Sequence, residues 1–370
     1  NAYKLATFAR SKKLDPINEV EISLARNMAE RVLGLIATVA PQIKDSNLVP
    51  RIHELEGKYG ILDWRVAFTI AEEIAKQQIC KFKDEKEAIE VGIRTGFAYI
   101  TIGTVSSCLE GFTHLDIRER RDKRGKFFSL NYSGPVRNAG GTAAATSVLI
   151  ADYVRKKLGY DVYDPDEKEI NRVFSEVEHY HERISRLQYF PSKEEIDFFA
   201  NRIPVEITGE PSEKIEVPNF KNLPRIPTNL LRSGFCLVFA ECLCSKSPKL
   251  WKQLSKWGHE FSMEQWDFIE EFLVIQKRIK AKSTTDGKDS GDKSTEKKEK
   301  PKISPVYTYI ADLVGGRPVF SHPLAKGGFR LRYGRSRASG LSGQCVHPAT
   351  MHILNEFIAL GTQLKLERHG

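Results

Sequence analysis

The side chains best suited to chemistry lie near the C-terminal end, in the run Lys326-Gly327-Gly328-Phe329-Arg330-Leu331-Arg332-Tyr333-Gly334-Arg335-Ser336-Arg337, where five cations occur with no acid among them. If Phe329 to Tyr333 is a strand, alternation places Phe329, Leu331 and Tyr333 on one face and Arg330 and Arg332 on the other. Arg335 and Arg337, set among glycine and serine, can approach phosphate oxygens with backbone N–H groups assisting. That arrangement positions a protein on a nucleic acid without reading its bases. Lys326, Arg330, Arg332, Arg335 and Arg337 are therefore the candidate phosphate-binding set. The competing explanation is a solvated strand edge kept basic to deter aggregation.

A second candidate is the glycine-rich turn Gly134 to Thr142, which follows an expected strand and precedes an expected helix. Glycines let backbone amides face an anion, and the helix dipole adds to the attraction. Arg137, Gly140, Gly141 and Thr142 form this candidate anion-binding turn. No Gly-Lys-Ser/Thr closes it as in a P-loop, and it does not match Gly-x-Gly-x-x-Gly. A tight structural turn with Thr142 as helix cap accounts for it equally well. The His179-Tyr180-His181 triplet is flanked by Glu178 and Glu182. Residues i and i+2 of a helix point in different directions, whereas helical zinc sites use i and i+4, so the triplet reads as structural. Cys242 and Cys244 are the only close cysteine pair, and no second Cys or His pair follows at zinc-ligand spacing. No strand presents an Asp-x-Asp pair for two-metal chemistry, and neither Gly-x-Ser-x-Gly nor His-Glu-x-x-His occurs. The sequence assigns no catalytic residue, no metal site and no cofactor to this chain.

The elements that must position these groups follow from periodicity. Apolar residues recur at helical spacing in Ile17 to Ala40, Trp64 to Ile79 and Glu85 to Ile100, with Asp63 and Asp84 as N-caps. Leu115 and Ile117, the turn Asp122-Lys123-Arg124-Gly125, and Phe128, Leu130 and Tyr132 predict a β-hairpin with an Arg- and Lys-rich outer edge. Helices are expected over Ala143 to Leu158, ended by Gly159, and over Glu167 to Leu187, Thr228 to Trp257 and Met263 to Ile279. Ile203 to Glu210 reads as extended. Residues 281–302, dominated by Lys, Asp, Glu, Ser, Thr and Gly, cannot offset the entropy of ordering and are expected to be a disordered linker. Beyond them Val306 to Phe320 and Gly328 to Tyr333 read as strands and Pro348 to Leu360 as a helix.

The fold class is therefore α+β. Its expected parts are a helical region (1–104), an α+β module with long helices (105–280), the linker (281–302) and a basic strand-rich segment (303–370). With 370 residues, 41% hydrophobic and 28% charged, the chain can bury more than one core. The net charge of +9 is moderate, but residues 309–370 hold eight Lys or Arg against three acids, so the excess gathers there. No apolar run reaches the roughly 18 residues of a membrane span, and six scattered cysteines suit free thiols, so a cytoplasmic location without membrane contact is expected. The chain starts at Asn1 rather than Met and stops just past an apolar helix-like run, and is expected to be a piece of a larger protein.

Longer strings carry a resemblance: RTGFAYITIGT (94–104), YSGPVRNAGGT (132–142), IPVEITGEP (203–211), GFRLRYGRSR (328–337) and FIALGTQLKLE (357–367). Through these the chain resembles the N-terminal part of the large subunits of archaeal D-family DNA polymerases, with residues 281–302 standing out as an insertion. The resemblance implies DNA-directed DNA synthesis by the complete enzyme, with template-primer DNA, a small subunit carrying a 3′–5′ exonuclease, and a sliding clamp as partners. It also implies a KH-like character for the α+β module, and double-psi barrels further along the large subunit whose Asp residues hold Mg²⁺. The basic set Lys326 to Arg337 then becomes a DNA-phosphate surface at the entry to the catalytic part. The alternatives are a structural module whose basic strand is an interface, and a nucleotide-phosphate enzyme built on the Gly134 to Thr142 turn.

Overall fold

The computed structural model describes residues 25–102, 107–211 and 214–285, the positions Phe8 and Ser11, and three strands near the C-terminus. The chain falls into two compact units, Asn1–Lys288 and Asp289–Gly370.

The first unit opens with helices α1 (Met28–Ile36), α2 (Leu48–Tyr59), α3 (Trp64–Ala75) and α4 (Glu85–Ile100). Asn27, Asp63 and Asp84 cap α1, α3 and α4 by accepting from the amides of Glu30, Arg65 and Glu87. The α3–α4 crossing is made of small residues. A Cβ on Gly92 would lie 2.5 Å from the Ala71 carbonyl oxygen, and one on Gly96 would lie 2.9 Å from that of Ala67. Only glycine permits this approach, and Phe68, Ile70, Ile89, Ile93 and Phe97 are fully buried in the core there.

Strands β1 (Phe112–Glu119) and β2 (Lys126–Tyr132) form the expected hairpin, and β3 (Glu206–Thr208) adds parallel to β2, giving the order β1-β2-β3. The α+β class is thus realised with β2 as the buried central strand. Helix α5 (Gly141–Lys157) covers the sheet and packs on α3 and α4, its Tyr153 hydroxyl donating to Glu72 at 2.5 Å. Arg94 of α4 is buried and donates to the carbonyls of Cys108, Leu109, Phe112 and Thr113 at 2.5 to 3.0 Å. One guanidinium therefore fixes the entry to β1 against the helical layer.

Helices α6 (Glu167–Arg183) and α7 (Lys193–Ala200) both begin with capping boxes, Asp166 with Glu169 and Ser192 with Glu195. A long helical segment follows as α8 (Ser233–Cys236), a wider π-helical stretch (Leu237–Cys244) and α9 (Ser245–Trp257), and α10 (Phe268–Thr285) closes the unit. Pro248 lies inside α9 and cannot donate to the Cys244 carbonyl one turn back. The buried Gln276 of α10 supplies that donor from its amide nitrogen at 2.9 Å.

Several boundaries differ from expectation. Thr228 to Arg232 are extended rather than helical, because the amides of Val217 and Leu231 bond to the carbonyls of Asn229 and Ile215. The helices expected to reach Ile79 and Leu187 stop at Ala75 and Arg183. Within Ile17 to Ala40 only Met28–Ile36 is a described helix, and 17–24 lie outside the described residues. The last helix starts at Phe268 after a 3-10 turn, Glu264–Trp266, and runs to Thr285, so 281–285 are helical rather than linker. Extended pairing in Ile203 to Glu210 is confined to β3.

The second unit contains β4 (Phe329–Arg332), β5 (Gln344–Val346) and β6 (Gln363–Lys365) in the order β5-β4-β6, all antiparallel. The segments expected as strand over 306–320 and helix over 348–360 lie outside the described residues.

Candidate nucleic-acid interface

Strand β4 carries two of the five residues of the basic set. It is the central strand of its sheet, so the idea of an edge kept basic does not describe it. Arg330 stands opposite Cys345 on one side and Lys365 on the other, and Arg332 stands opposite Gln363. Directly opposed residues share a face, and so do residues two apart in a strand. Arg330, Arg332 and Lys365 therefore occupy register positions on one face. Sequence reasoning missed Lys365, since nothing local pairs it with Arg330. Lys326, Arg335 and Arg337 lie outside the described residues.

The glycine-rich turn is built differently from the expectation. A 3-10 turn, Gly134–Ala139, leads to Gly140 at φ +82°, a left-handed conformation that glycine adopts without strain. Gly140, not Thr142, is the N-cap of α5, because the helix begins two residues earlier than expected, and no side chain caps it. The first amides of a helix have no acceptor within it, so the turn presents N–H groups at the positive end of a 17-residue dipole. Arg137 is beside it, one Nη lying 3.4 Å from the buried Glu241 carboxylate, with Nε buried and without a hydrogen-bond partner among the described residues. Lys246, which sequence reasoning passed over, crosses the same turn. A Cβ on Gly141 would meet its Cε at 2.8 Å. The turn thus gathers Gly140, Gly141, Thr142, Arg137 and Lys246, with one carboxylate partly neutralising the cations.

Most other arginines of the first unit are engaged inside it. Arg232 meets Glu176 at 2.8 Å and donates to the Thr208 hydroxyl, and Arg172 meets Glu176 at 3.1 Å, all three being buried. Arg225 bridges Asp164 and Glu169 at 2.7 and 2.5 Å. Arg118 meets Glu206 at 3.2 Å, and burial nevertheless raises the Glu206 carboxyl above its ordinary range. The cavity lined by Tyr163, Glu169, Glu206 and Arg232 measures about 30 Å³, room for one or two waters and far too small for a nucleotide. His181 accepts from the Leu187 amide at 2.9 Å and stacks on Phe190. Cys242 and Cys244 are buried, which pushes the Cys242 thiol up to about 12 and the Cys244 thiol well above its usual value. Among the described residues no group of three His, Cys, Asp or Glu could hold a metal ion, and no helix is long and apolar enough to cross a membrane.

Comparison with known proteins accounts for both units. Residues 1–275 match the family model for the N-terminal part of the DNA polymerase II large subunit DP2, and residues 296–370 match the model for its central domain. The chain is 44% identical to the DNA polymerase II large subunit of Nanoarchaeum equitans over 99% of its length, covering 30% of that relative. It is 41% identical to the large subunit of Methanothermobacter thermautotrophicus and 40% identical to that of Thermococcus kodakarensis, in each case over 100% of this chain, covering 31% and 21% of those proteins. It therefore spans about a third or less of the curated relatives it matches. With both units matched in order and identities of 40% and above over essentially every residue, this chain belongs to the archaeal family of DNA polymerase II large subunits.

Proposed function

We propose that this chain serves as the N-terminal part of the large subunit of a DNA-directed DNA polymerase, holding template-primer DNA by its phosphates and supporting the catalytic part of the enzyme. The observation that carries this reading is the identity of about two residues in five to DNA polymerase II large subunits along the whole chain. In the complete enzyme the primer 3′ hydroxyl attacks the incoming nucleotide and pyrophosphate leaves, and Mg²⁺ supplies charge stabilisation when bound. The described residues do not fit that metal: Glu169, Glu176 and Glu206 are each paired with arginine, and no step through Mg²⁺ is assigned to them. A small subunit with 3′–5′ exonuclease activity and a sliding clamp belong to the same reading as partners, as does a cytoplasmic location. So does the division into a helical part (1–104), a KH-like α+β module from 105 to the end of its closing helix at Thr285, a linker from there to 302 and a basic entry segment (303–370).

Phosphate contact is assigned to Lys326, Arg330, Arg332, Arg335 and Arg337, with the turn at Arg137, Gly140, Gly141 and Thr142 as a lesser anion site. Support comes from the like-charged register positions of Arg330, Arg332 and Lys365, which are costly to hold together unless an anion or a carboxylate faces them. Arg94, Arg118, Arg172, Arg225 and Arg232 serve the packing of the first unit instead, each being engaged within it. Fluorescence anisotropy of a labelled primer-template at several salt concentrations, with and without Arg330→Ala and Arg332→Ala, tests the DNA-binding reading. A log-linear salt dependence whose slope falls by about two in the double variant supports it. Absence of binding at the lowest salt overturns it and leaves the scaffold role.

A further inference from the structure

Helix α9 has an unusual charge distribution. Its sequence SKSPKLWKQLSKW holds Lys246, Lys249, Lys252 and Lys256 and no acid. Their spacing of three, three and four residues keeps all four on one side of a helix, while Ser247, Leu250, Leu254 and Trp257 are buried on the other. Lys249, Lys252 and Lys256 are exposed, and none forms an ion pair with a carboxylate among the described residues. Among the described residues only four lysines elsewhere in the first unit meet a carboxylate, Lys76 with Glu72, Lys86 with Asp116, Lys156 with Glu264 and Lys221 with Glu216, so it is the clustering of the α9 lysines on one acid-free face that sets them apart. Like charges at i, i+3 and i, i+4 oppose helix formation, and solvated helix faces ordinarily mix the two signs. A face of one sign is therefore unfavourable to the isolated helix and favourable only toward an anion.

From this we propose that the lysine face of α9 is a second nucleic-acid contact, a track for the phosphate backbone independent of the basic strand in the other unit. It rests on the DNA-binding reading above and adds a site to it. From Lys246 to Lys256 the helix rises about 15 Å, matching the axial length of about four phosphates of one strand of a duplex. Ammonium groups act as point charges and carry no planar fork for reading base edges, so the contact is independent of base sequence. Lys246 marks the inner end of the track, its stem packed over Gly141. The three outer lysines are free to follow a strand.

The test uses the 370-residue chain with Lys249→Gln, Lys252→Gln and Lys256→Gln combined, read by anisotropy of a labelled primer-template over a salt series. All three side chains are exposed, so a thermal melt should match that of the unaltered chain, and the three lysines changed to arginine instead should retain binding. The expected result is a salt slope reduced by about two to three, additive with the Arg330→Ala, Arg332→Ala change. A slope unmoved by the glutamine substitutions, in a chain that binds DNA through Arg330 and Arg332, overturns the track and leaves the DNA-binding reading intact. No binding by the unaltered chain at the lowest salt overturns both.

Discussion

Gln276 replaces a hydrogen-bond donor that Pro248 removes, and the size of that service can be measured. Changing Gln276 to Met keeps its volume but leaves the buried Cys244 carbonyl without its 2.9 Å donor and removes the 2.7 Å bond to the Tyr189 hydroxyl. An orphaned buried acceptor costs about 1 to 3 kcal/mol, and the Tyr189 bond adds about 0.5 to 1.5 kcal/mol. In a Pro248→Ala background the new amide at position 248 reaches the Cys244 carbonyl by the ordinary helical bond, so only the Tyr189 loss remains. The two changes should therefore couple by about 1 to 3 kcal/mol, with Pro248→Ala rescuing Gln276→Met. Urea unfolding of the four proteins of this cycle, followed by far-ultraviolet circular dichroism at constant m value, reads the coupling directly. A coupling below about 0.5 kcal/mol would show that the carbonyl is satisfied otherwise and refute the reasoning.

Glu176→Gln should destabilise the first unit by about 3 to 5 kcal/mol, because it leaves the buried Arg172 and Arg232 facing each other without their shared carboxylate; a loss under 1 kcal/mol in the same urea assay contradicts this. Gly34→Ala, in α1 with nothing within 4 Å of the added carbon, should stabilise by about 0.5 to 1 kcal/mol, whereas Gly92→Ala, 2.5 Å from the Ala71 carbonyl, should destabilise by about 1 to 3 kcal/mol. Opposite signs in thermal melts are the check. Burial raises the folded-state carboxyl of Glu206 above 4.5, so its contribution is fully present at lower pH and is lost as pH rises through the raised value. Stability relative to Glu206→Gln should accordingly shift against the unaltered chain as pH rises above the ordinary glutamate range, and a difference that stays flat, or moves the other way, refutes the assignment.

Elements were legible where a cap and a period agreed. Asp63 and Asp84 sit one residue before strongly periodic runs, and α3 and α4 start there. Helix α2 was hidden because Pro50 lies in its first turn and Asn47 makes no side-chain cap. Helix α7 is short, yet its Ser192-x-x-Glu195 box was in plain view. Thr228 to Arg232 are apolar enough to extend the following helix on paper, but their pairing partners Ile215 and Val217 come from a different stretch of chain. The same distance problem governs the site. Arg137 was visible as a cation beside a glycine turn, but its partner Glu241 is 104 residues away, and the Lys246 stem over Gly141 is as remote. The alternation that paired Arg330 with Arg332 could not reveal Lys365, which joins them only through sheet register.

The division of labour between arginine and lysine in the first unit separates two responses to ionic strength. Several of its arginines are enclosed, in pairs such as Arg172 with Glu176 and Arg155 with Asp152, where mobile ions penetrate little, whereas Lys249, Lys252 and Lys256 of α9 stand in solvent. Rising salt thus screens the outer charges long before it loosens the inner ones. A polyanion could be shed and recaptured repeatedly across a range of salt over which the melting temperature scarcely moves.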